Sequence, residues 1–212
     1  MKKLFIILFL TVYCTNYSQT ESEKVKGKVL FDFSGGLASR IGKPEKTGNF
    51  MLDNKINASK NGYFIDASLY VQIKPEMNHY LGVKYNNFFD LINDQKLAIN
   101  FYAVSYLYSK KFTSNDLLNF SISVGYISYK DDEYFIKDYV IKGGTVGLGL
   151  EGSYLLRITD GIYSGPKIGF QFGNISEFDV SNSGNPDQNM DLNNTTESVS
   201  IFDIGLLLRI KI

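Results

Sequence analysis

Between residue 29 and residue 212 the chain repeats one pattern eight times: an apolar side chain at every second position. Extended strands turn successive side chains to opposite faces, whereas a helix repeats every 3.6 residues, so these stretches read as strands. Residues 29–37 place Val29, Phe31, Phe33, Gly35 and Leu37 on one face and Leu30, Asp32, Ser34 and Gly36 on the other. Residues 63–73 set Tyr63, Ile65, Leu69 and Val71 against Phe64, Asp66, Ser68 and Gln72, and residues 80–85 set Leu81, Val83 and Tyr85 against Tyr80, Gly82 and Lys84. In residues 97–103 the apolar set is Leu97, Ile99, Phe101 and Ala103, opposed by Ala98, Asn100 and Tyr102. The remaining four lie at 120–126, 146–156, 167–173 and 202–212, with Glu151, Lys167, Asp203 and Arg209 on their polar faces.

The connections alternate in length. Those at 74–78, 110–119 and 157–161 are the shorter ones, while 40–61, 86–96, 130–143 and 174–198 are longer and polar. Short links on one rim and long links on the other are what an up-and-down meander requires, and Pro, Asn, Asp and Gly in the short ones mark turns. Folding residues 151–167 symmetrically about Thr159 would set Glu151 directly opposite Lys167 as a cross-strand ion pair.

Period two alone leaves open which face points inward. Side-chain size decides: eight strands enclose an interior just wide enough for side chains to fill, and the polar face is rich in Gly and Ser. Turned outward, glycines such as Gly82, Gly125, Gly147 and Gly205 would form an exposed strand surface with nothing to accommodate. Turned inward, they sit beside a lumen cluster of Asp32, Asp66, Lys84, Glu151, Lys167, Asp203 and Arg209, four acids against three bases. The opposite face as read here carries no charge, and a basic residue there would cost ~2–4 kcal/mol at mid-bilayer. Its expected partner is lipid. Closure satisfies the backbone hydrogen bonds that hydrocarbon cannot. Since the chain has no Trp, Tyr63, Tyr85, Phe120, Tyr126 and Tyr154 are the candidates for interfacial aromatic girdles. Pro166 falls within the seventh stretch without an amide hydrogen, so a bulge or a later strand start is expected there.

In this pattern the chain resembles the small eight-stranded outer-membrane β-barrel proteins of Gram-negative bacteria. The segment from Asp203 to Ile210 is similar to that family's C-terminal assembly signal, with Asp203, Gly205, Leu208 and Ile210 in the polar, glycine and apolar places; the family usually ends in an aromatic residue, this chain in Ile212. The Asn, Lys, Ile and Tyr content resembles proteins of Bacteroidota. The resemblance implies an all-β, eight-stranded antiparallel up-and-down transmembrane barrel. It also implies partners in outer-membrane lipid and lipopolysaccharide, the barrel-assembly machinery and a surface ligand, with structural, adhesive, protective, assembly or occasionally enzymatic roles.

The N-terminus reads as an export signal: Lys2 and Lys3, an apolar run from Leu4 to Val12, then polar residues from Thr15. Nine apolar residues span only ~14 Å as helix against a ~30 Å hydrocarbon core, so residues 1–18 are expected to be a cleaved signal peptide and 19–212 the barrel domain. A lipidated Cys14 is disfavoured by bulky Tyr13 before it. Basic and acidic residues number 22 each, which argues against binding nucleic acid through phosphate charge. With Cys14 the only cysteine and His79 the only histidine, disulfides, Cys-based zinc sites and histidine-rich metal sites are excluded, and no catalytic, cofactor or metal residue is assigned.

Three local motifs have plainer readings. Gly147-x-Gly149-x-x-Gly152 has nucleotide-loop spacing but lies inside a strand, where glycine relieves crowding. Asp187-x-Asn189-x-Asp191 begins like a calcium loop but lacks its glycine, and a disordered polar loop is expected. Asp131, Asp132 and Glu133 read as solvated loop charge. Together these point to a non-enzymatic outer-membrane scaffold that presents its long loops for surface interaction or envelope integrity. The alternatives are a narrow pore or transport channel, a soluble lipocalin-like carrier, and a lipid-modifying enzyme using His79 with Ser105 or Ser109.

Overall fold

The computed structural model describes residues 28–42, 60–73, 78–90, 97–112, 115–132, 139–182 and 190–212. The strands are β1 Val29–Arg40, β2 Asn61–Gln72, β3 His79–Asp90, β4 Leu97–Lys111, β5 Asp116–Asp132, β6 Tyr139–Thr159, β7 Ile162–Phe172, β8 Asn174–Asn182, β9 Met190–Ser198 and β10 Ile201–Lys211. From β1 to β7 each strand pairs antiparallel with the next, and β10 lies between β7 and β1. Eight strands thereby close a ring with no free edge, and closure removes the row of unpaired amides that an open sheet would present. β8 and β9 continue β7 and β10 past the ring: β8 pairs with the first residues of β6 and with β9. The fold is an eight-stranded closed antiparallel barrel with a two-stranded extension on one rim.

The strands are longer than the alternating stretches suggested. Parts of the expected loops at 86–96, 110–119 and 130–143 belong to β3, β4, β5 and β6. The segment 174–198, expected as a polar loop, instead carries β8 and β9. Its Ser, Asn and Glu are poor strand formers, and pairing with the projecting start of β6 overrides that local preference. The expected leader at residues 1–18, Cys14, Glu133, and Asp187 and Asn189 of the calcium-like spacing lie outside the described residues.

Side chains alternate as period two requires. Phe33, Leu37, Ile65, Val83, Val124, Leu148, Ile204 and Leu206 are exposed on the outer surface, and Asp32, Asp66, Lys84, Lys167, Asp203 and Arg209 are buried in the lumen. β4 is the exception to the sequence reading. Leu97, Ile99, Phe101 and Ala103, expected on the outer face, are buried, and Tyr102, Val104 and Tyr106 point outward. The stretch 97–103 has Asn100 as its one polar residue, and its phase is set by the continuation to Lys111, where Ser105 and Ser109 face the lumen.

The lumen is therefore layered rather than uniformly polar. Leu30, Tyr70, Tyr80 and Leu107 cluster near the short-turn rim. Charged side chains fill the middle, and towards the long-loop rim Phe64, Phe88, Phe101, Ile99, Ile127 and Ile201 form a second apolar cluster.

Two local expectations are also revised. Glu151 stands opposite Gly169, and Lys167 opposite Ser153, so Glu151 and Lys167 are diagonal neighbours. The cause is the position of the turn: Thr159 pairs with Ile162, so the chain reverses at Asp160-Gly161 rather than about Thr159, with a one-residue shift between Arg157 and Thr159, and Gly161 adopts a φ of 83° that a β-carbon would strain. Pro166 causes no bulge and no late start: β7 begins at Ile162, and its ladder to β10 runs unbroken past the Leu206–Pro166 pair. The ladder to β6 omits the Tyr154–Pro166 and Leu155–Gly165 pairs, as a residue without an amide hydrogen dictates. At the β1–β10 seam Gly36 faces Gly205, and a β-carbon on Gly36 would lie 2.3 Å from the carbonyl oxygen of Ile204, so only glycine permits this close approach.

Candidate functional site

The charges that the pattern placed on one face meet in the lumen in two groups. In the first, Asp66 on β2 accepts from Lys84 on β3 at 2.5 Å and from Lys167 on β7 at 2.8 Å, through the same Oδ2 atom. Glu151 on β6 also accepts from both, with Lys167 at 2.7 Å and Lys84 in direct contact. Lys167 further donates to Ser34 Oγ at 3.1 Å, and its ammonium lies 4.8 Å from the ring centre of Phe64. Asp203 on β10 stands 3.9 Å from the Lys167 ammonium, and its Oδ1 has no hydrogen-bond partner. Three carboxylates thus share two ammonium groups.

The second group is a fork. Arg209 on β10 grips Asp32 on β1 with Nε to Oδ1 at 2.7 Å and Nη2 to Oδ2 at 2.6 Å. Its third arm, Nη1, crosses the lumen to Asn119 Oδ1 on β5 at 2.7 Å and Ser109 Oγ on β4 at 3.5 Å. The planar guanidinium suits this task because its donors fit a carboxylate in two parallel bonds. Of the seven charged residues singled out from the sequence, five lie in one group and two in the other. Hydroxyls and amides were not assigned to the lumen, and Ser105 was named only beside His79: Ser105 on β4 meets Tyr70 at 3.1 Å and Ser123 at 2.8 Å, and Asn119 completes the arginine's shell. Tyr70 and Ser123 fall on the parity read as inward, whereas Ser105 shares the parity of Leu97 and Phe101, read as outward, and Asn119 lay in the expected connection 110–119.

With these side chains in place little space is left. Between Tyr70, Leu107, Glu151, Lys167, Leu207 and Arg209 the cavity measures about 10 Å³, room for about one water molecule. Apolar clusters flank the charged middle on either side, with the buried Arg40 guanidinium 5.9 Å from the ring centre of Tyr129 towards the long-loop rim. A hydrated ion passing along this axis would have to break paired charges in a low-dielectric interior, where losing one partner is expensive.

His79 sits on the outer side of the sheet. Its Nδ1 contacts the hydroxyl of Tyr106, and its ring lies 5.2 Å from that of Tyr108. Ser105 and Ser109 face the lumen, on the other side of β4, so neither can share a reaction centre with His79. Gly147 and Gly149 face the lumen from within β6, away from any helix N-terminus. Asp132 pairs with Lys130 at 2.5 Å at the long-loop rim, and Asp131 accepts weakly from Tyr129 at 3.5 Å. In the assembly-like segment, Asp203 and Gly205 face inward and Leu208 and Ile210 face outward.

The outer surface has its own order. Towards the short-turn rim stand His79, Tyr106, Tyr108, Phe112 and Tyr154, with Phe112 and Tyr154 edge to face at 6.4 Å. Towards the long-loop rim Tyr63 lies 6.0 Å from Phe89, and Phe170 lies 5.0 Å from Phe202. Between them the exposed side chains are apolar, Val83, Val104, Ile122, Val124 and Leu206 among them, with Phe33, Tyr102 and Tyr126 interspersed.

No family model and no curated protein matches the chain. Among solved structures, Neisserial surface protein A is similar over 90% of this chain and 99% of its own, at 13% identity with a TM-score of 0.56. The N-terminal β-barrel domain of Pseudomonas aeruginosa OprF matches 88% of this chain and 100% of its own at 10% identity, with a TM-score of 0.47. The outer membrane protein AlkL, determined in DMPC bilayers, matches 93% and 95% at 10% identity, also with a TM-score of 0.47. At such identities the likeness to the Neisserial protein concerns the barrel fold.

Proposed function

We propose that the chain is a non-enzymatic integral outer-membrane barrel, a sealed scaffold that holds its long connections at the cell surface. The observation that carries this reading is the outer surface: a belt of exposed, mainly aliphatic side chains around the ring, with further aromatic groups towards each rim. Water would penalise such a continuous apolar band, and hydrocarbon would not. On this reading residues 1–18 direct export and are removed. Asp203, Gly205, Leu208 and Ile210 then act as the signal read by the barrel-assembly machinery, and outer-membrane lipid and lipopolysaccharide surround the belt. The connections at 41–60, 91–96 and 133–138 and the β8–β9 hairpin face the exterior, where they would meet a surface ligand.

The filled lumen favours this reading over a pore, and the inward charges favour it over a soluble carrier of apolar ligands. Fractionation decides the first point: the protein should co-sediment with outer membranes and shift its gel mobility on boiling, whereas recovery in the soluble fraction without detergent would refute the proposal. In planar bilayers the purified barrel should show no steady ohmic current. A sustained conductance would replace the scaffold reading by the channel.

A further inference from the structure

We propose that the short-turn mouth of the barrel is a binding site for a soluble phosphate-bearing anion, held by Lys28, Lys111 and Lys211. The placement follows from the lumen geometry. Arg209 reaches across the barrel to Ser109 at 3.5 Å, so these two inward positions of β10 and β4 face one another. Lys211 and Lys111 are the next inward positions outside them, one on each strand, and therefore face one another across the mouth. Lys28 precedes β1 on the same parity as Leu30, whose partner across the β1–β10 seam is Lys211. Lys28, Lys111 and, more weakly, Arg209 are the cationic groups whose charge acts on Lys211. Lys28 and Lys111 are exposed and Lys211 is half-buried.

None of the ion pairs formed among the described residues involves these three ammonium groups. Among the described residues the side-chain carboxylates nearest this rim are engaged: Asp32 by Arg209, Asp160 by Arg157, and Asp116 by the hydroxyl of Tyr154 on the outer surface. Three like charges converging on one opening repel one another, and a multivalent anion removes that repulsion. Phosphate fits because ammonium groups bind it as point charges and its oxygens can accept from several of them at once. The ligand is soluble rather than a lipid headgroup because all three lysines occupy inward positions, whereas Lys110, on the outer face, is the one placed to meet lipid. The floor of the mouth is the apolar cluster of Leu30, Tyr70, Tyr80 and Leu107, so the anion rests on the rim and does not pass through.

The test is calorimetric titration of the full-length protein in a neutral detergent with pyrophosphate. Saturable binding is expected, weakened by salt and reduced at least about tenfold in the Lys28→Gln, Lys111→Gln, Lys211→Gln triple variant. Lys130→Gln, at the opposite rim, should bind as the parent does. Boiling-dependent gel mobility reports whether the triple variant is folded; if it is not, the single variants carry the test, each expected to lose about threefold. Absence of saturable binding to the parent, or equal binding by the folded triple variant, overturns the proposal. So does retention on phosphatidylglycerol vesicles over phosphatidylcholine vesicles, lost in the triple variant, without pyrophosphate binding, since that would assign the lysines to lipid.

Discussion

Lys167 makes the most demanding single contribution to the lumen. Its ammonium is shared by Asp66 and Glu151, and its side chain is almost completely buried. Replacing it with Met preserves most of the volume but leaves three carboxylates with one lysine, so Lys167→Met should destabilise the barrel by about 3–5 kcal/mol. The readout is the loss of boiling-dependent gel mobility across a urea series in lipid vesicles, a choice suited to a chain without Trp. Lys130→Ala should cost less than ~1 kcal/mol in the same assay, because the Lys130 and Asp132 side chains are 48% and 41% exposed. Which residues carry charge into the lumen was legible from alternation alone. Who pairs with whom was not, because the hairpin reverses at Asp160-Gly161 rather than about Thr159, which moves Lys167 two places along β6 and makes its contact with Glu151 diagonal.

At the scale of the element, β4 and β7 show where alternation is informative and where it fails. In β4 Asn100 is the one polar residue among the first seven and it lies on the outer face, so the local pattern gives the wrong phase, and the serines further along are needed to set it. The outward phase is testable: Val104 lies halfway along the strand on the outer face, and Val104→Arg should lower folding stability in vesicles by about 2–4 kcal/mol. An unaltered stability would return β4 to the opposite phase. In β7 the proline interrupts one ladder only, because its missing hydrogen points to β6 while the pairing with β10 is untouched. Pro166→Ala restores a donor at the omitted pair and should raise the urea midpoint, by up to about 1 kcal/mol of stability. The gain is small because a ladder hydrogen bond replaces one to solvent or a neighbour.

For the whole molecule, closure and filling are separate achievements. The ring is complete below the β8–β9 hairpin, since β10 pairs with both β7 and β1 without help from it. Replacing residues 176–196 by Asn-Gly keeps the Asn174–Ser198 and Ile175–Glu197 pairs beneath a tight turn. That variant should still fold and keep its boiling-dependent mobility, with stability within about 1 kcal/mol of the parent; failure to close would make the hairpin part of the barrel's folding unit rather than an appendage. The sequence by itself determined the number of barrel strands, the alternation of short and long connections and the side of seven of the eight, because each rests on local period and local turn chemistry. Tertiary structure alone decided the phase of β4, the strand character of residues 174–198, the pairing of lumen charges and the convergence of three lysines at one mouth. These depend on register and on what lies across the lumen, and side chains that face one another over a closed ring are remote in sequence, so no window along the chain contains both partners.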